Sequence, residues 1–198
     1  SKISVMKMLI ARNIFLAGMA LILFGGCSHS FDSNVLDLSF YQWNLWQEAD
    51  EIPGEQTTSD GEAVLDVEAP SCGWEEMHRG TGKLVRIPAL VEDYFPGESA
   101  AGVYWYHCRF TLPEDWEERE ITISFNGVGP FTNVFLNQDY VGSQQEEEGE
   151  FEIDLTDVIF YTRDNHLTVR IVSSDTGRGG IGGNIKLISK VPSTETLH

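Results

Sequence analysis

Positive charge is scarce in this chain: 13 lysines and arginines stand against 31 aspartates and glutamates, a net charge of −18 at neutral pH. Such a surface repels phosphate backbones and anionic lipid headgroups, which excludes nucleic acid as a partner. Cysteine is rare, with three in 198 residues, too few for a disulfide-built scaffold. His29, His78, His107, His166 and His198 are scattered, and neither Cys72 nor Cys108 has a histidine or second cysteine at zinc-ligand spacing. There is no phosphate loop, no Ser-His-Asp order and no acidic loop with a calcium-ligand pattern, so neither metal nor cofactor is expected. Internal repeats at solenoid or propeller periods are also lacking. Between Gly102 and Leu187 no 3.6-residue apolar period survives, which excludes a helical bundle for that region.

The amino-terminal quarter reads as a targeting segment. Lys2, Lys7 and Arg12 precede an apolar run, Ile14–Phe24, that is followed by Gly25, Gly26 and Cys27. A basic stretch, a short apolar stretch and small residues at a cleavage point make a secretory signal. The apolar run falls well short of the about 20 residues needed to span a bilayer. Phe24-Gly25-Gly26-Cys27 resembles the lipobox of bacterial lipoproteins, in which the cysteine becomes the lipidated first residue. That resemblance implies a membrane anchor at Cys27 and a place in the cell envelope, on the outer membrane or cell surface of a bacterium. Cleavage removes Lys2, Lys7 and Arg12 and no acid, taking the net charge from −18 to about −21. The expected organisation is a signal peptide over 1–26, a tether over 27–35, one β domain over 36–190 and a tail over 191–198.

Within the domain, apolar residues alternate in short phrases separated by Gly, Asn, Asp and Pro, the pattern of antiparallel strands with one buried face. Strands are expected within 36–47, over 62–68 and 83–88, and in six phrases from Gly102 to Leu187. Residues 50–61, 70–82 and 89–101 read as loops or irregular connections. Tyr106, Phe110, Ile121, Ile123, Phe125, Val134, Leu136, Leu167, Val169 and Ile171 fall on inward positions. Cys108 shares the face of Tyr106 and Phe110, so it is either a buried thiol or, in an oxidising compartment, the partner of Cys72. Glu146–Glu152, with three adjacent like charges, reads as a solvated loop rather than a metal or catalytic site.

Taken in order, these phrases resemble the sugar-binding domain that opens glycoside hydrolase family 2 enzymes. Lys83–Pro88 is similar to the family's Val-Pro segment, Tyr104–Phe110 to its Trp-Tyr-x-x-x-Phe strand, and Ile123–Val128 to its Phe-x-Gly-Val run. Asn133–Gly142 is similar to its Asn-Gly hairpin, Phe151–Asp157 to its Phe-x-x-Asp-Ile-Thr turn, and Asn165–Ile171 to Asn-x-Leu-x-Val-x-Val. Gly180 and Ile181, followed by Ile185 and Leu187, resemble the closing Gly-Ile strand. The resemblance implies an all-β antiparallel sandwich, a jelly roll of the galactose-binding type. One departure is Asn137-Gln138-Asp139: the family puts Gly after the Asn, where a type I′ turn needs positive φ at both central residues.

In those enzymes the domain accompanies a separate (β/α)₈ barrel that carries two catalytic glutamates, and nothing in the 198 residues stands for that barrel. No catalytic residue is therefore assigned; carbohydrate is the expected partner, together with a glycoside hydrolase catalytic domain if one follows. Sugars are recognised by aromatic faces and planar polar groups on loops. The glycine-rich segment Ser173–Asn184 offers Asp175, Arg178 and Asn184, and Trp74 and Trp105 are the aromatic candidates. The resemblance places Asp175 within about a residue of the aspartate that reaches the sugar in β-galactosidases; the simpler reading of Asp175 and Arg178 is that they merely pair or cap the turn. Three functions compete: a lipid-anchored accessory module that binds carbohydrate, the opening fragment of a family 2 hydrolase, and a structural sandwich without sugar binding.

Overall fold

Alternation becomes strand wherever one face can be buried. The computed structural model describes residues 34–48, 69–96, 101–129, 131–145, 150–173 and 179–192. The signal peptide, Cys27, most of the tether, the 50–61 loop, the 62–68 strand, Asp175, Arg178 and most of the tail lie outside these residues.

The strands run β1 Val35–Asp37, β2 Trp43–Glu48, β3 Lys83–Val85, β4 Ala89–Leu90, β5 Gly102–Phe110 and β6 Glu120–Asn126. They continue as β7 Thr132–Leu136, β8 Asp139–Gln144, β9 Glu150–Asp154, β10 Asn165–Ser173, β11 Gly180–Ile181 and β12 Ile185–Lys190. Two short helices, α1 Gly73–Arg79 and α2 Val91–Tyr94, interrupt them. One sheet has the order β1-β12-β6-β9, a second β3-β2-β5-β10-β7-β8, and β11 pairs with β4 alone. Every pairing is antiparallel. The two larger sheets form a β-sandwich.

All ten expected inward residues belong to one core, joined by Trp43, Tyr104, Trp116 and Leu187. Burying each large apolar side chain stabilises the fold by about 1.5–3 kcal/mol. Two polar tips inside the core are satisfied locally: Trp43 Nε1 donates to the Leu38 carbonyl at 2.8 Å, and the Tyr106 hydroxyl to that of Ala89 at 3.0 Å. β9 shows the alternation plainly, with Phe151 and Ile153 packed inward while Glu150, Glu152 and Asp154 face water. The acidic character of that segment is thus one face of a strand. Asp154 ends it by accepting from the Thr156 amide at 3.0 Å and hydroxyl at 2.6 Å, bonds that hold its carboxyl below the ordinary range.

Two connections differ from expectation. Residues 70–82 are not irregular: they contain α1, closed by Gly80 in the left-handed conformation at φ 70°. Residues 89–101 contain β4 and α2. α1 lies on the outer face of the six-stranded sheet, with Met77 fully buried there against Val103, Trp105 and Phe135. β5 is consequently covered on both faces, and all its residues but Arg109 are buried. Cys72, exposed, precedes α1, whereas Cys108 is sealed in the core on the other side of the sheet. Both are free thiols.

Candidate functional site

Register along β10 defines two ends of the six-stranded sheet. β10 pairs with β5 from Asn165↔Phe110 to Ser173↔Gly102. At the Ser173 end the chain leaves for the segment holding Asp175 and Arg178, which lie outside the described residues. Asn184 is exposed just before β12, and its carbonyl accepts from the Asn126 amide at 3.0 Å.

The two aromatic candidates meet on the outer face. Trp74 on α1 stands edge-on to Trp105 of β5, ring centroids 6.1 Å apart and planes at 84°. Trp105 is 2% exposed, packs against Phe135 at 5.8 Å, and its Nε1 donates to Glu48 Oε2 at 2.9 Å. Trp74 stays half-buried, also touching Phe135 at 5.3 Å. Neither tryptophan adjoins Asn184, which precedes a strand of the other sheet.

Beside them lies a cluster that the scattered histidines do not reveal. His78 of α1, His107 of β5 and His166 of β10 stack, with His78–His166 centroids 4.0 Å apart and His107–His166 centroids 5.2 Å apart. His107 Nε2 and His166 Nδ1 are 3.0 Å apart, a hydrogen bond. His78 Nε2 and His107 Nδ1 are buried without a partner. Burial first, and repulsion from His166 second, lowers His78 to about 4 and His107 to about 3. His166 is also lowered by burial, with Asp164 opposing and Arg109 reinforcing. The rings lie face to face, and among the described residues no group of three or more His, Cys, Asp or Glu could hold a metal.

A shallow cavity of about 220 Å³ opens next to this stack, at the end of the sheet opposite Ser173. One wall is the β7–β8 turn, where Asn137 and Gln138 take φ values of 54° and 82°. That is the φ signature of a type I′ turn, met here without the usual glycine. The other wall is the loop from Phe160 to Asp164. Fully buried Asn165 holds both walls: its Nδ2 donates to the Phe160 carbonyl at 2.7 Å, and its Oδ1 accepts from the Phe160 amide at 2.9 Å and Asn137 Nδ2 at 3.1 Å. Asn137 Oδ1 in turn accepts from the His166 amide at 2.9 Å. The motif asparagines are therefore occupied as staples. Gln138, Phe160 and Arg163 were not legible as site residues; the one sequence signal was a glutamine where a glycine is expected.

Two antiparallel sheets closed over one core, with polar side chains gathered at their ends, define a β-sandwich of the kind that presents binding loops from a rigid scaffold. Residues 40–178 match the family "Glycosyl hydrolases family 2, sugar binding domain", and the chain belongs to it. It is 33% identical over 84 residues to a β-galactosidase of Psychromonas ingrahamii, covering 42% of this chain and 8% of that protein. Another match is a β-glucuronidase of Bacteroides fragilis, 26% identical over 69 residues, 35% of this chain and 10% of the relative. The chain thus spans about a tenth of the length of these curated relatives. A solved β-glucuronidase of glycoside hydrolase family 2 superposes with a TM-score of 0.58 at 17% identity, covering 80% of this chain and 18% of that one. A family 2 member from Bacteroides cellulosilyticus gives 0.56 at 17% identity, covering 80% and 21%. At that identity the likeness is one of fold.

Proposed function

We propose that the chain is a non-catalytic carbohydrate-binding module of jelly-roll, galactose-binding type, carried on a lipid-anchored protein of the cell envelope. The observation that carries this reading is the sugar-binding-domain match over residues 40–178. The proposed contacts are Asp175, Arg178 and Asn184 around the connection from β10 to β12, with half-buried Trp74 as the aromatic candidate nearer the helix; Trp105, 2% exposed and covered by Trp74 and Phe135, has no open face to offer a sugar. Carboxylate, guanidinium and amide groups provide the directional bonds sugars need. Separate Asp175→Ala and Trp74→Ala variants, titrated with an oligosaccharide that binds the wild type, test the contacts; unchanged affinity in both removes them. Cys27 is the proposed lipid attachment. Metabolic labelling with a fatty acid should mark the wild type and not Cys27→Ser, and label on both, or on neither, would overturn the anchor.

A second reading is favoured by the small share of each relative that the chain covers, 8% of the β-galactosidase and 10% of the β-glucuronidase. Here the residues are the opening domain of a family 2 glycosidase, and the sandwich positions a catalytic barrel supplied by the same gene. The genomic sequence following His198 decides between them. A barrel in frame selects the hydrolase; an immediate stop selects the accessory module.

A further inference from the structure

The cavity beside the histidine stack has features that a staple alone does not require. Gln138 occupies a left-handed position that costs a residue with a Cβ roughly 1 kcal/mol and glycine almost nothing. Its amide makes no hydrogen bond among the described residues, so no internal contact offsets that cost. Arg163 lies over the Phe160 ring, 3.5 Å from its centroid, and has no carboxylate partner among the described residues. A stacked guanidinium keeps its N–H fork free in the ring plane for a bidentate acceptor. The one carboxylate lining the cavity, Asp164, is paired with Arg109 at 3.6 Å. With both histidines neutral at pH 7 and Asp164 engaged by Arg109, the Arg163 guanidinium is the one lining charge left without a counter-ion among the described residues. Its walls are preorganised by Asn165, which limits the entropy a ligand must offset. At about 220 Å³ it is smaller than the about 300–1,000 Å³ of pockets for drug-sized ligands, a size that suits one sugar ring.

We propose that this cavity binds an anionic sugar residue, with Arg163 taking the acidic group and Gln138 a neighbouring hydroxyl. The site is separate from the Asp175 segment, at the opposite end of β10, and stands or falls independently of it. The probes are glucuronic acid, glucose 6-sulfate and glucose, titrated into the full chain and followed by ligand-observed NMR. One or both acidic sugars should bind at least about tenfold more tightly than glucose, the scale of one charge-assisted hydrogen bond. Which one binds tells a carboxylate ligand from a sulfate. Binding should weaken as salt rises, and Arg163→Ala should erase the preference while the melting temperature stays near wild type.

Gln138→Gly separates this role from a structural one. Removing the strained φ should raise the melting temperature while lowering acidic-sugar affinity several-fold. Equal binding of glucose and both acidic sugars, no binding of any of them, or full binding by Arg163→Ala would overturn the proposal. Neutral oligosaccharide binding that depends on Asp175 would survive any of those results.

Discussion

His78 of α1 stacks on His166 of β10 with ring centroids 4.0 Å apart and planes 16° apart, joining a helix to the sheet through two uncharged imidazoles. The contact holds only while both rings are neutral. His78 falls to about 4 and His107 to about 3 from an unfolded value of about 6.5. Below pH 6.5 the unfolded chain therefore binds protons that the folded one refuses. The stability contributed by neutral burial is complete above about 6.5 and lost progressively as pH falls towards those folded values. Relief of repulsion among the 31 acids acts in the opposite sense, so the variant comparison carries the prediction. His78→Phe, which keeps a ring and removes the titration, should lower the proton-linkage slope between pH 6.5 and 5 by up to about one proton. Urea melts at several pH values measure it.

Asn165 is buried completely and bonds both Phe160 and Asn137. Asn165→Ala should cost about 2–4 kcal/mol, since truncation strands several buried backbone and side-chain groups. The double variant with Asn137→Ala should lose less than the sum of the singles, because each removes the other's partner. Chemical denaturation of the four proteins checks the coupling.

Gly183 is required by a neighbour rather than by its own backbone. A Cβ there would sit 1.6 Å from the Asn126 carbonyl oxygen, and backbone cannot swing aside. Gly183→Ala should cost about 3 kcal/mol or more by prising apart the β6–β12 pairing. Gly73→Ala is the control: φ is 78° but nothing lies within 4 Å, so the loss should be near 1 kcal/mol. Thermal melts of the two variants give the ranking.

The two described thiols should react very differently. Cys72 is exposed, and Cys108 is sealed in the core with its pKa pushed far up by burial. Maleimide labelling followed by peptide mapping should modify Cys72 in the native protein and Cys108 only in denaturant. Under oxidising conditions no Cys72–Cys108 crosslink should form, because the six-stranded sheet lies between them.

The β-strands were legible because period-2 alternation survives in phrases such as Ile121, Ile123 and Phe125, and turn residues mark their ends. α1 was not. It makes only about two turns in seven residues, offers only Trp74 and Met77 as apolar anchors, and lies between Pro70 and Gly80. Its absence from the reading hid the second cover on β5, so the side opposite Tyr106 and Cys108 had no assigned neighbour. The histidine stack escaped for a related reason. Positions 78, 107 and 166 meet only once α1 is placed and β5 and β10 are in register, with Thr168 opposite His107 and Arg109 opposite His166. The turn at Asn137 was legible as a hairpin, but not which residue would accept the second positive φ. Gln138 takes it, although Asp139 tolerates that region better.

The central claim is that this sandwich recognises carbohydrate, and a glycan array followed by isothermal titration with the full chain tests it most directly. The account predicts saturable binding to at least one oligosaccharide, with the glycan recovered intact. Absence of binding to every plant, microbial and host glycan would contradict it and leave a structural sandwich; hydrolysis of a bound glycan by the chain would contradict its non-catalytic character.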